Sequence, residues 1–277
     1  MNVIGLGDAG CKVAEAFSQY PEYKIYKINV DLSGHRCYTV PVFESAEQYE
    51  AYDYPKIKSF FKGVRGETLF IIGGSGKISC GSLRILENVK RLPISILYIQ
   101  PDLSLLDDVA AMQEKVVRNV LQEYARSGVF EKMCLVSNSS LEKIVGGAPV
   151  IGYFETLNEL LVPSIHMINF FHNTKPVAGL IPKPKITHRL YTVGIFDIEK
   201  NEEKMFFSLD NARHKCYIYG VNEEKLKTDK QLMNKIKKQI ESKKGENLDV
   251  SYAIYPTDYE YDIGYIIERS PYIQNKI

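Results

Sequence analysis

The chain of 277 residues is long enough for one large domain or two smaller ones, with a sizeable core. Its 45% hydrophobic and 25% charged residues make an ordinary globular composition, and no apolar run approaches the ~20 residues that cross a bilayer. A formal net charge of +1 removes any global electrostatic case for nucleic acid or an anionic membrane surface.

Cys11, Cys37, Cys80, Cys134 and Cys216 are scattered and odd in number, so neither a disulfide framework nor a CxxC metal pair is expected. They read as buried thiols of a reducing cytoplasm, without a metal site. Met1-Asn2-Val3-Ile4 leads straight into a glycine turn, so no signal peptide is expected either.

The first predicted strand runs into Gly5-Leu6-Gly7-Asp8-Ala9-Gly10, and a helical run follows from Lys12 to Phe17. A second strand, 24–30, ends in Asn29-Val30-Asp31. G-x-G-x-x-G after a strand, with an acid about 20 residues on, is the dinucleotide pattern that sets a phosphate on a helix N-terminus. Taken alone it leaves the nucleotide unnamed. Residues 40–67, rich in Tyr and charge, are expected to form a surface crossover with a short helix and no chemistry.

Leu69 to Ile72 reads as a buried strand that empties into Gly73-Gly74-Ser75-Gly76-Lys77-Ile78-Ser79-Cys80-Gly81-Ser82. A helix is expected to open between Ser79 and Ser82. Flexible amides beside the positive end of a helix suit a phosphate. The alternative is a plain strand-to-helix turn, which needs only one or two glycines. Ile71 and Ile78 stand where a P-loop needs its first glycine and its Ser or Thr, so that motif is excluded.

A third buried run, 94–99, precedes an amphipathic helix from Leu105 to Tyr124, with Leu105, Val109, Val116 and Val120 on its apolar side and Leu106, Val117 and Leu121 beside them. A short strand, 133–136, then ends in Ser137-Asn138-Ser139. Strands alternating with helices predict an α/β fold with a parallel, doubly wound sheet and ligand loops at the strand C-termini. Segments 5–10, 29–34, 73–82 and 137–140 fall at those ends. Two glycine loops, each opening a helix, predict a nucleotide gripped from both sides.

Pro176, Pro182 and Pro184 mark 174–185 as a linker. Beyond it, strands are predicted at 189–197, 204–209, 215–221, 249–255 and 262–268. One helix, 223–243, carries Leu226, Leu232, Met233, Ile236 and Ile240 on its buried side. Its lysines from Lys235 to Lys244 are expected on a solvated face.

The order of these loops resembles that of the tubulin/FtsZ superfamily of GTP-binding filament proteins. Residues 5–11 resemble its first phosphate loop, Asn29-Val30-Asp31 its Asn-x-Asp loop, and residues 73–82 a worn form of its Gly-Gly-Gly-Thr-Gly-[Ser/Thr]-Gly signature. Residues 134–144 are similar to its Ile-Pro-Asn-Asp-x-Leu stretch, and Phe154 to Asn158 to the start of its central helix. The resemblance implies a nucleotide-binding domain, 1–173, that includes this helix, and a small α+β domain, 186–277. It implies GTP or GDP, with Mg²⁺ as an open companion, and self-association head to tail.

The contacts so implied fall on Gly5, Gly7, Asp8, Ala9, Gly10, Cys11, Asn29, Asp31, Gly73, Gly74, Ser75, Gly76, Lys77 and Ser79, with Asn138, Phe154 and Asn158 reading the base. A ring and an amide at i and i+4 share a helix face and meet one purine together. Without the resemblance, Phe154 reads as a core aromatic and Asn158 as a solvated helix residue. Ser75 and Lys77 depart from the family's signature. So does the stretch after the central helix: the family uses an acidic loop there, while no Asp or Glu occurs from Leu160 to Phe196. A carboxylate that polarises water is central to that hydrolysis, so weak GTPase activity at most is expected and no catalytic residue is named. His166 and His172 are the ionisable candidates in the region. Two alternatives stay open: a dinucleotide-dependent oxidoreductase using Gly5, Gly7, Gly10 and Asp31, and a nucleotide-binding interaction protein that does not polymerise.

Overall fold

Every residue of β1 (Asn2–Leu6) and of β5 (Ile94–Gln100) is buried, as mostly apolar strands are when a parallel sheet is covered on both faces. With β2 (Lys24–Asn29), β3 (Cys37–Thr39), β4 (Thr68–Gly73) and β6 (Lys132–Ser137) they form six parallel strands in the order β3-β2-β1-β4-β5-β6. The chain winds outward in one direction from β1 and in the other from β4. These two strands pair directly, Leu6 beside Ile72, so the switch point of the sheet lies between them. The connecting helices are α1 (Gly7–Ala16), α2 (Ala46–Ala51), α3 (Ile57–Phe60), α4 (Ser82–Glu87), α5 (Asp108–Arg126) and α6 (Asn138–Val145), and α7 (Tyr153–His172) follows.

The computed structural model describes residues 1–275 and divides into two units, Met1–Val162 with the residues from Ile273 on, and Pro163–Tyr272. The division therefore falls inside α7, next to Pro163, which removes one backbone hydrogen bond from the helix. The expected boundary, 174–185, carries instead β7 (Ala178–Gly179), which pairs antiparallel with β11 (Asp249–Thr257). Val177 N–H donates to the Ile254 carbonyl at 2.8 Å and Leu180 N–H to the Tyr252 carbonyl at 2.9 Å. A short edge strand tolerates the flanking prolines, which lack a ladder donor. Lys276 and Ile277, the last residues of the expected 186–277 domain, lie outside the described residues.

Two further expectations in the first unit are corrected. Residues 40–67 are no mere surface crossover: Val40, Tyr49, Tyr54, Ile57, Phe61 and Val64 are all buried. The helix after the second glycine loop opens at Ser82, within the expected range, and lasts six residues, residues 77–81 forming a 3-10 turn. On α5 the expected apolar residues separate: Val117 and Leu121 are buried, Val109 and Val116 are exposed, and Leu105 and Leu106 precede the helix. The buried stripe is Glu114, Val117, Arg118, Leu121, Gln122 and Ala125. Charged residues win the interior there because each finds a partner, Glu114 Oε1 accepting from Arg118 Nε at 2.8 Å and from the Tyr98 hydroxyl at 3.0 Å.

In the second unit β8 (Leu190–Asp197), β9 (Glu202–Met205), β10 (His214–Asn222), β11 and β12 (Ile263–Ser270) join β7 in a mixed sheet. β10 and β11 are parallel, and the crossover between them is α8 (Glu223–Thr228) and α9 (Leu232–Lys243). The single helix expected at 223–243 breaks because the Asp229 carboxylate accepts from the Gln231 and Leu232 amides and starts α9 afresh. Leu232, Ile236 and Ile240 pack on Phe196, Tyr217, Tyr219 and Ile254, as their spacing requires. Lys235 and Lys243 reach Glu199 and Glu203, so the lysine face is laced with ion pairs.

Candidate functional site

β1 passes into α1 with no loop between, so the first turn of the helix is itself the first glycine segment. Gly7 has φ +70°, a conformation that glycine adopts without strain. A Cβ on Gly5 would overlap the Gly10 carbonyl, and one on Gly10 would sit 2.5 Å from the Ile71 carbonyl oxygen. These two glycines therefore let α1 lie against β1 and β4. A helix leaves its first amides without intrahelical partners, and Leu6 at the N-cap offers no side-chain acceptor. Asp8 and Ala9 are exposed at that end. Cys11 turns the other way: its thiol faces the Gly5 carbonyl, and burial pushes it up to about 11.

The second loop touches the first. A Cβ on Gly73 would lie 2.9 Å from the Ala9 Cβ, and one on Gly7 would lie 2.9 Å from Ile78 Cγ2. Strand adjacency at the switch point brings this about, since residues beyond Leu6 and Ile72 leave the same edge of the sheet. Inside the loop, the Ser79 hydroxyl donates to the Gly73 carbonyl at 2.6 Å and the Ser79 amide to the Gly76 carbonyl at 2.9 Å. The Gly74 amide is spent on the Ile99 carbonyl at 2.9 Å. Gly74 and Gly81 make room for the hydroxyls of Tyr98 and Tyr54, so their lack of a side chain is explained by packing. Lys77 gives its ammonium to the Glu44 carbonyl at 2.7 Å. That leaves an apex of Ser75 and Gly76, the latter exposed and with no atom closer than 3.5 Å to an added Cβ.

Asn29 Nδ2 donates to Asp8 Oδ1 at 2.6 Å, which ties the end of β2 to the first turn of α1. Asp31, two residues on, is exposed with φ +53°. Asn138 is the first residue of α6, half-buried, and the hydroxyls of Ser137 and Ser139 on either side meet at 2.9 Å. The Tyr153 hydroxyl donates to Glu142 Oε2 at 2.9 Å, pinning the start of α7 to α6, and burial with this bond pushes the phenol up to about 12. Phe154 is 50% exposed, not a core aromatic, and Asn158 one turn later is half-buried.

Lys12 links this end of the site to the glycine loops. Its ammonium lies 6.0 Å from the Phe154 ring centroid and 3.6 Å from Glu155 Oε1. Lys12 stands one turn after Asp8 on α1, a spacing visible in the sequence, but nothing local to it points to Phe154. Of the five cysteines, Cys37 and Cys80 are only half-buried, against expectation. Among the described residues no group of three or more His, Cys, Asp or Glu is placed to hold a metal, and no helix is long and apolar enough to cross a membrane.

No family model and no curated protein matches the sequence. Solved structures do match its backbone. A helical model of the TubZ-Bt four-stranded filament superposes with TM-score 0.76 at 15% identity, over 97% of this chain and 85% of that one. A GTPγS-form protofilament of TubZ from Bacillus thuringiensis serovar israelensis gives 0.72 at 14% identity, over 96% and 86%. An empty FtsZ dimer from M. jannaschii gives 0.65 at 12% identity, over 97% and 87%. Likeness at this level of identity is carried by the backbone alone, and what it assigns to the chain is the fold of the tubulin/FtsZ superfamily.

Proposed function

We propose that the chain binds a guanine nucleotide at the C-terminal edge of its parallel sheet and associates with copies of itself head to tail, as a tubulin/FtsZ-like cytoskeletal protein. The observation that carries this reading is the contact between the two glycine segments, Gly73 against Ala9 and Gly7 against Ile78. One phosphate chain is then met from two sides by backbone amides and the positive end of α1. Phe154, half-exposed beside Lys12, is the stacking platform for the base, with Asn158 and Asn138 as its edge readers. The similar TubZ structures include GTPγS and GDP forms and two- and four-stranded filaments, which supports nucleotide binding and polymerisation in this chain as well. Mg²⁺ at such a site takes most of its ligands from phosphate oxygens and water, with Asp8 and Asp31 as the carboxylates at the loops.

Hydrolysis by the chain itself is slow or absent, because 160–196 offers no carboxylate to polarise water. The test is the nucleotide content of the purified chain, followed by sedimentation and phosphate release with GTP. Bound GTP or GDP, GTP-dependent pelleting and turnover well below ~1 per second, the lower end of ordinary enzyme rates, are expected. A co-purified nicotinamide dinucleotide would replace this reading with the oxidoreductase one, and nucleotide binding without pelleting would leave only the binding half.

A further inference from the structure

A buried polar chain lies behind the second glycine loop and has no part in the site described above. The Tyr98 hydroxyl on β5 donates to Glu114, and burial pushes its phenol well up, so the proton stays in place to be donated. Glu114 is paired with Arg118, whose guanidinium also donates to the Gln274 carbonyl. Gln122 completes the hold on that backbone: its amide donates to the Gln274 carbonyl at 3.2 Å and accepts from the Gln274 N–H at 2.8 Å. Tyr98, Glu114, Arg118 and Gln122 are each at most 1% exposed.

A buried ion pair contributes little over a well-packed apolar replacement, so stability alone does not account for this arrangement. Its far end offers a reason. A Cβ on Gly74 would overlap the Tyr98 hydroxyl and lie 3.0 Å from Glu114 Cγ, so these two side chains are the wall on which the second glycine loop rests.

We propose that the segment following β12 is a positioning element for that loop: Gln274, fixed by Gln122 and acting through Arg118, Glu114 and Tyr98, holds Gly74 and so sets the Ser75–Gly76 apex where it grips a phosphate. The consequence for binding rests on the guanine-nucleotide reading; the mechanical link does not. Gln122→Leu removes its own two hydrogen bonds to Gln274, leaving that backbone held by Arg118 alone, and keeps the wall intact, while Tyr98→Phe removes only the hydroxyl at the wall. Both are made in the full chain, with Ile236→Val, in the core of the second unit, as a stability control.

Amide hydrogen exchange at 75–79 is expected to rise about tenfold in both loop variants and in neither case at 7–9. GTP affinity is expected to fall roughly 5- to 30-fold, the lower part of the ordinary range of coupling between sites, with guanosine affinity held within about twofold. The double variant should match the single ones, as links of one chain do. Unchanged exchange at 75–79 in Gln122→Leu, or a rise shared by the Ile236→Val control, overturns the link. A wild-type chain that takes up no guanine nucleotide overturns the nucleotide reading and the binding half of the proposal, while the exchange result still decides the link.

Discussion

Gly5 and Gly10 at the end of β1, and Gly74 and Gly81 after β4, stand at equivalent ends of adjacent parallel strands, yet different neighbours make each pair glycine. In the first pair the obstacle is backbone, the Gly10 and Ile71 carbonyls. In the second it is chiefly the tips of two side chains, the hydroxyls of Tyr98 and Tyr54. The first segment is therefore rigid by construction, because nothing there can yield. The second is shaped by residues from other elements and can be adjusted through them. A count of glycines does not measure how many amides face a ligand: within the two glycine segments, 5–10 and 73–82, Gly76 alone has no such neighbour.

Four substitutions break or sharpen this contrast. Glu114→Ala should have the largest effect, about 3–5 kcal/mol, because it leaves the Arg118 guanidinium buried without its carboxylate. Unfolding in urea measures it, and a loss under about 1 kcal/mol would show that the wall of the second loop is dispensable. Gly10→Ala comes next, at about 3 kcal/mol, since the new methyl meets a backbone carbonyl of the central strand. A thermal midpoint lowered by roughly 6–12 °C is the expected reading, and a neutral result would remove the rigidity ascribed to the first segment.

Gly76→Asp separates binding from folding. Its φ of −73° and open surroundings accept a side chain, while a carboxylate at the apex repels phosphates. At least a tenfold loss of GTP affinity, about 1.4 kcal/mol, is expected with the thermal midpoint held within about 2 °C; unchanged affinity would move the phosphates away from this apex. Gly76→Ala should have the smallest effect, a gain of about 0.4–1 kcal/mol from a less flexible unfolded chain. Calorimetric unfolding reads it, and a destabilisation of more than about 1 kcal/mol would mean that the apex is more confined than its neighbours indicate.

Much of the architecture was legible in local patterns. The runs at β1, β4, β5 and β6 are mostly apolar, and the glycine and serine segments after β1, β4 and β6 locate the loop edge of the sheet before any coordinates are seen. The α9 stripe of Leu232, Ile236 and Ile240 is equally plain. The α5 pattern finds Val117 and Leu121 but misses the buried residues beside them for a physical reason: hydrophobic periodicity assumes that charges face water, and Glu114 and Arg118 do not. Lys77 reads as a phosphate partner because its neighbours are glycines, while its hydrogen bond is to Glu44, 33 residues earlier. The prolines of 174–185 read as a linker because the strand that accepts Ala178 and Gly179 lies some seventy residues further on.

The sequence by itself determines what depends on neighbouring residues: where strands give way to glycine, and that no carboxylate follows α7 before Asp197. Only the tertiary structure decides which polar groups are buried and which loops meet. A charge enters the interior only where a partner waits for it, and Gln274 waits for Gln122 from 152 residues away. Likewise Ala9 and Gly73 touch because β1 and β4 are neighbours in the sheet, although sixty residues of chain lie between them.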